Sequence, residues 1–184
     1  MANKVNQTDL SGVLGNRVAL QKVSNRVLAT NRPRRRFGPP TEKQVKVQDR
    51  FLEAAHYAKL QMADPDATTY YQQGVSDQLK SAYQVALTDY LKKPKVESID
   101  TTNYQGTVGD TIEVFAKAGF MVTGVKVFIR DRKGNLIEKG DAVSGHLHYW
   151  NYVATVENSS LSGTTIQAIA YSRPGNKGTM EVTL

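Results

Sequence analysis

From Val96 to Leu184 the apolar residues of this chain fall on every second position, segment after segment. Ile112, Val114 and Ala116 alternate with Thr111, Glu113 and Phe115, and Val125, Val127 and Ile129 alternate with Lys126, Phe128 and Arg130. Trp150, Tyr152, Ala154 and Val156 continue the pattern, followed by Ile166, Ala168 and Ala170, then Met180, Val182 and Leu184. A period of two puts alternate side chains on opposite faces of an extended strand, so each segment can turn one face to a core. Gly106, Gly109-Asp110, Gly119, Lys133-Gly134-Asn135 and Arg173-Pro174-Gly175-Asn176 break the pattern where turns are needed. About seven short strands between turn signals predict an antiparallel β-sandwich of the immunoglobulin-like kind over residues 95–184.

The 184 residues suit one or two small domains. There is no cysteine, which excludes disulfides, thiolate metal sites and thiol catalysis. No apolar run is long enough to span a bilayer. Asp9, Gly12, Asn16 and Arg17 interrupt the N-terminal stretch, so it does not read as a secretory signal. The expected location at synthesis is the cytoplasm, with a virion or an extracellular particle as a later destination.

The net charge of +7 is unevenly spread. Residues 1–40 carry eight basic groups and one acid, Asp9, which accounts for the whole excess and leaves the rest of the chain neutral. Two β-prone runs, Val18 to Val23 and Arg26 to Thr30, flank Ser24-Asn25 and predict a hairpin. An isolated hairpin is marginal in water and needs a second surface, from its own sandwich or a neighbouring subunit. The alternative is a disordered tail. Val18, Leu20, Val27 and Leu28 are the candidate subunit contacts. Beyond them, residues 32–40 read Arg-Pro-Arg-Arg-Arg-Phe-Gly-Pro-Pro, an extended basic linker. Arg32, Arg34, Arg35 and Arg36 are candidate contacts to a partner or to phosphate, because guanidinium groups bind phosphate with two parallel hydrogen bonds. The bland reading is a solvated linker.

Residues 41–94 predict a helical hairpin. Thr41 with Gln44 makes a capping pattern, and Val47, Phe51, Ala55, Ala58 and Met62 form an apolar stripe. Asp64-Pro65-Asp66 ends that helix, and residues 67–73 can add a turn or two before Gly74. Ser76 is the expected cap of a second helix to Lys92, with Leu79, Tyr83, Ala86 or Leu87, and Tyr90 facing inward. The five tyrosines of this region suit a core edge more than a binding site.

Chemistry is hard to find. His146 and His148 alternate with Leu147, which on a strand would aim both at one face, but Asp141 is the only near carboxylate to complete a metal site. Asp64-Pro65-Asp66 is too short for a calcium loop, and residues 131–138 read as a hairpin. No serine sits in a glycine-flanked elbow and no glycine loop suits a phosphate. No catalytic residue, cofactor or metal ligand is nominated.

Three groups of residues carry a resemblance: Gly12, Gly15 and Val18; Phe51, Ala54 and Tyr57-Ala58-Lys59; and Ser81-Ala82-Tyr83, Ala86 and Asp89-Tyr90-Leu91. With these, the chain resembles an uncharacterised family of small bacterial proteins that combine a basic N-terminal arm, a helical hairpin and an immunoglobulin-like domain. Its C-terminal part resembles bacterial immunoglobulin-like domains. The resemblance implies an α+β protein with a sandwich at its C-terminal end and implies no activity. The expected function is a non-enzymatic structural protein, self-associating as a homo-oligomer or docking into a larger particle or filament through its arm and helices. Nucleic-acid association through the arm, or binding of a protein or glycan by sandwich loops near His146 to Trp150, are the alternatives.

Overall fold

The computed structural model describes residues 12–14, 18–23, 26–31 and 38–184. The chain divides into two compact units, Met1–Thr41 and Glu42–Leu184.

The first unit is a three-stranded antiparallel sheet of β1 (Gly12–Leu14), β2 (Val18–Val23) and β3 (Arg26–Asn31), in that order. The β2–β3 register runs from Val18 opposite Asn31 to Val23 opposite Arg26. The expected turn, Ser24-Asn25, lies outside the described residues. Strand β1, too short to show an alternation, extends the expected hairpin by pairing Leu14 with Val18 and Gly12 with Leu20.

The second unit begins with three helices where the sequence suggested two. They are α1 (Glu42–Ala63), α2 (Pro65–Gln72) and α3 (Ala82–Leu91). Asp64 caps α2 by accepting the Asp66 N–H, with Pro65 at the first helical position, where its missing N–H costs nothing. The cap of α3 is Ser81, not Ser76: the Ser81 hydroxyl accepts the Gln84 N–H at 3.3 Å. Ser76 instead closes a turn with Leu79 through both its backbone and its hydroxyl. Ala58, Tyr71, Ala82, Val85 and Ala86 are buried together, with Tyr57, Met62, Tyr70, Leu79 and Phe120 half-buried around them. Small residues at 54, 58, 82 and 86 let α1 and α3 approach closely, and tyrosines close the rim.

The remaining seven strands are β4 (Lys95–Asp100), β5 (Thr111–Lys117), β6 (Val122–Arg130), β7 (Leu136–Ser144), β8 (Tyr149–Val153), β9 (Thr165–Ser172) and β10 (Lys177–Thr183). All pairings are antiparallel, in the order β10-β9-β6-β7-β8-β5-β4. The ladder folds on itself at β7: Leu136 to Ala142 pair with β6, whereas Val143 and Ser144 pair with β8. One layer is therefore β4-β5-β8 and the other β10-β9-β6-β7. Ile112, Val114 and Ala116 of β5 pack in one core with Val125, Val127 and Ile129 of β6 and Ile166, Ala168 and Ala170 of β9. This is the face-to-face packing of a sandwich. Each of these nine residues belongs to the alternation seen in the sequence. Tyr152 and Ala154 are also buried, but Val156 lies beyond β8 and is exposed. At the open side, Gly178 of β10 lies against Pro94, where a Cβ would overlap the Pro94 carbonyl oxygen, so glycine permits β10 to close on the start of β4.

Truncating Ile129→Ala should therefore lower the unfolding free energy by about 2–5 kcal/mol in urea titrations, whereas Val143→Ala should stay within about 0.5 kcal/mol. Equal effects would contradict this assignment of the core.

Candidate interaction surfaces

In the N-terminal sheet, Val18 and Leu20 stand opposite Asn31 and Ala29. Cross-strand partners share a face, so Val18, Leu20 and Val27 lie on one face, together with Ala29 and with Asn31 and Lys22 at its two ends. Leu28 pairs with Gln21 and belongs to the opposite face. The four candidate contacts thus divide three to one. Val27 and Leu28 are each 48% exposed, Val18 and Leu20 are half-buried, and no residue of this sheet whose side chain is described is buried. Among the described side chains these short strands show no buried face, and apolar burial is what stabilises such a sheet. Arg32, Arg34, Arg35 and Arg36 lie outside the described residues.

Helix α1 offers a second surface. Ala54 and Ala58 are its only buried residues, and everything from Glu42 to Glu53 is exposed. That exposed stretch spans about 18 Å at 1.5 Å per residue. Val47 and Phe51 precede Ala54 and Ala58 at helical spacing, so they continue the buried stripe into solvent. Val47 is 69% exposed, Phe51 51% and Leu52 66%, and together with Gln48 they line one shallow groove. The stripe inferred from sequence is therefore real as a pattern but only partly covered: Ala58 is buried, Ala55 and Met62 half-buried, and Val47 and Phe51 bare. Periodicity records which face is apolar and not how far the neighbouring layer extends. The exposed half is held on another side, where Arg50 donates to the Leu91 carbonyl and the Tyr90 hydroxyl donates to Glu53 at 3.3 Å.

The turn between β7 and β8 is a third feature. Leu147 and His148 have φ of 48° and 72°, and the Tyr149 N–H donates to the His146 carbonyl at 3.1 Å. Two left-handed residues in a two-residue hairpin turn are the arrangement usually met by Asn-Gly. Placed in this turn, His146 and His148 do not lie along a strand, which removes the shared-face geometry expected of them. Phe115 packs on Tyr149 with ring centroids 4.8 Å apart, and Lys117 Nζ lies 4.8 Å from the Phe115 centroid. Among the described residues no group of three His, Asp or Glu side chains is placed to hold a metal ion.

Beneath the helices lies a buried polar relay that sequence reading missed. The Tyr57 and Tyr71 hydroxyl oxygens are 2.7 Å apart, and the Tyr71 hydroxyl donates to Asp89 Oδ2 at 3.1 Å. Asp89 and Tyr71 are wholly buried. The Arg173 guanidinium, from the β9–β10 turn, stacks 4.6 Å from the Tyr70 centroid, and Phe120, from the β5–β6 connection, packs edge-on against Tyr70. Gly74 makes room for that ring, since a Cβ there would sit 2.6 Å from Phe120 Cε2. The Asn176 side chain donates to the Tyr90 carbonyl at 2.9 Å. These contacts seat the helices on one end of the sandwich. An acid inside a helix gives no sign in sequence that it points inward, which is why the relay was not foreseen. Tyr57 at its edge is half-buried, and Tyr71 and Asp89 are enclosed where the helices meet the sandwich.

Burial pushes the Asp89 carboxyl up to about 6, against the opposing pull of the Tyr71 hydroxyl, the Phe120 backbone N–H and Arg173. A raised folded-state value means that the fold favours the protonated acid. That contribution is complete below the ordinary value of 3.8 and is lost as pH rises through about 6. Asp89→Asn removes the ionisation, so its melting temperature relative to the unaltered protein should rise between about pH 4 and about pH 7. A difference that does not change with pH would contradict the buried-acid assignment.

No family model and no curated protein matches the chain. Two solved structures are similar to parts of it. One is a tetra-tandem repeat in the extending region of a large adhesion protein, with 20% identity over 50% of this chain and 22% of that one, at a TM-score of 0.33. The other is an engineered protein, with 23% identity over 41% of this chain and 15% of that one, at a TM-score of 0.31. The matches thus span less than a quarter of either structure's length.

Proposed function

We propose that this chain is a non-enzymatic structural protein that self-associates, or docks into a larger assembly, through its N-terminal sheet and helix α1. The observation that carries the reading is that both elements present apolar faces to solvent. The sheet has no buried residue among those whose side chains are described, and α1 leaves Val47, Phe51 and Leu52 bare. The other parts of the chain have cores of their own, the sandwich above all. Apolar area bared on secondary structure that is already folded is characteristic of a surface completed by association. The sandwich serves as a rigid body, and the sheet serves as the strap. Its outer strands β1 and β3 also leave edge hydrogen-bonding groups available for strand addition. The finer identity of the C-terminal part as a bacterial immunoglobulin-like domain, and the setting in a virion or filament, belong to this proposal.

A second reading draws on a separate observation, the concentration of all seven excess positive charges in residues 1–40. On that reading the arm neutralises nucleic-acid phosphates, and affinity for random duplex DNA falls steeply with salt.

Light scattering of the full chain over a concentration series tests the first reading. The mass should rise above that of one 20.3 kDa chain as concentration increases. A single-chain mass at every concentration, together with salt-dependent DNA binding, would overturn it in favour of the second.

A further inference from the structure

We infer that the apolar sheet face of one copy, carrying Val18, Leu20 and Val27, covers the bare groove of helix α1, Val47, Phe51 and Leu52, on the next copy. This rests on the self-association reading above and names its two halves. Three observations lead to it. First, the groove continues the Ala54 and Ala58 seam along which α1 already packs, so a partner seated there extends an existing interface. Second, a sheet face laid on a helix stripe is a standard two-layer unit, in which each element buries what the other leaves exposed. Third, each chain carries one of each surface. A head-to-tail contact therefore covers both at every copy with a single kind of interface, whereas pairing like with like needs two different interfaces to do the same. Contacts of this heterologous kind repeat, closing into a ring or running on as a filament according to the rotation between copies.

The groove is also of the right character for a sheet. Its lining residues, Val47, Gln48, Phe51 and Leu52, bear no charge, while Lys46, Asp49, Arg50 and Glu53 line a different depression with Tyr90 and Lys93. The sheet face opposes this groove with Val18, Leu20, Val27 and Ala29, and its register places Asn31 at one end and Lys22, opposite Val27, at the other. A β-sheet face rich in valine and leucine beds on a helix by burying branched side chains between turns.

The absence of cysteine makes the contact directly testable. Val27→Cys and Leu52→Cys are made separately in the full chain, at positions exposed enough to accept the change, and Val108→Cys, on an exposed sandwich loop, serves as the control. The singly substituted proteins are mixed pairwise at a concentration where light scattering shows assembly, then oxidised. The V27C and L52C mixture should give a hetero-linked dimer in excess of either homodimer. V27C mixed with V108C should give almost none. Assembly without the V27C–L52C link, or with only L52C–L52C links, would overturn this pairing and leave self-association standing. A V27C/L52C double variant that links only within single chains would overturn it too, because the sheet would then cover its own helix. A single-chain mass at all concentrations would overturn both the pairing and the reading it rests on.

Discussion

The interlock between the two sheet layers holds this molecule together. Ile112 and Val114 from one layer meet Val125, Val127, Ile129 and Ile166 from the other, all fully or almost fully removed from water. Side chains of this size contribute roughly 1.5–3 kcal/mol each on burial. Strand β7 makes the interlock possible by pairing with β6 along most of its length and with β8 at its end. It carries the ladder from one layer to the other without leaving a strand unpaired. Within β7, Glu138 anchors the crossing: its Oε2 accepts the Tyr152 hydroxyl and both the backbone N–H and the hydroxyl of Thr155.

The helices of the same unit are placed relative to that core. The β5–β6 and β9–β10 connections at one end supply Phe120 and Arg173, and these rings and planes receive Tyr70 and Tyr71 from the helices. The seat is wide enough for α2, α3 and the second half of α1, but not for residues 42–53. The bare groove on α1 follows from a geometric mismatch: a helix of 22 residues is laid on a layer that covers about half of it. A helix overhanging into water loses apolar burial along the overhang, so its sequence would be expected to turn polar there. Val45, Val47, Phe51 and Leu52 do not follow that expectation, which is the physical ground for assigning the overhang a partner.

The sandwich was legible from sequence because alternation is a local signal: whether Val127 points inward is decided by Val125 and Ile129 beside it. The start of α1 was legible at Thr41 after two prolines, and so was the break at Asp64-Pro65, although it reads from sequence as an end and not as the cap of α2. The start of α3 was misread where two serines competed, since Ser76 and Ser81 have equal chemistry and only the surrounding packing distinguishes them. The surfaces were legible only in part. Val18, Leu20, Val27 and Leu28 could be named from their β-prone runs, but their division between two faces depends on register, and β1 was too short to be seen. Phe51 falls on the apolar stripe of α1, and a helical wheel carries no information on where the neighbouring layer stops. The Asp89 relay was invisible because charge in a helix usually means solvent.

Hydrogen exchange on the full chain, at a dilute and at a concentrated condition, bears most directly on the claim that a self-sufficient body carries two unfinished surfaces. The account predicts that amides of β6 and β9 are equally slow at both concentrations, while those of β2, β3 and residues 42–53 slow markedly only on concentration. Protection of the sheet and of the first half of α1 that is already high when dilute, and unchanged on concentration, would contradict it.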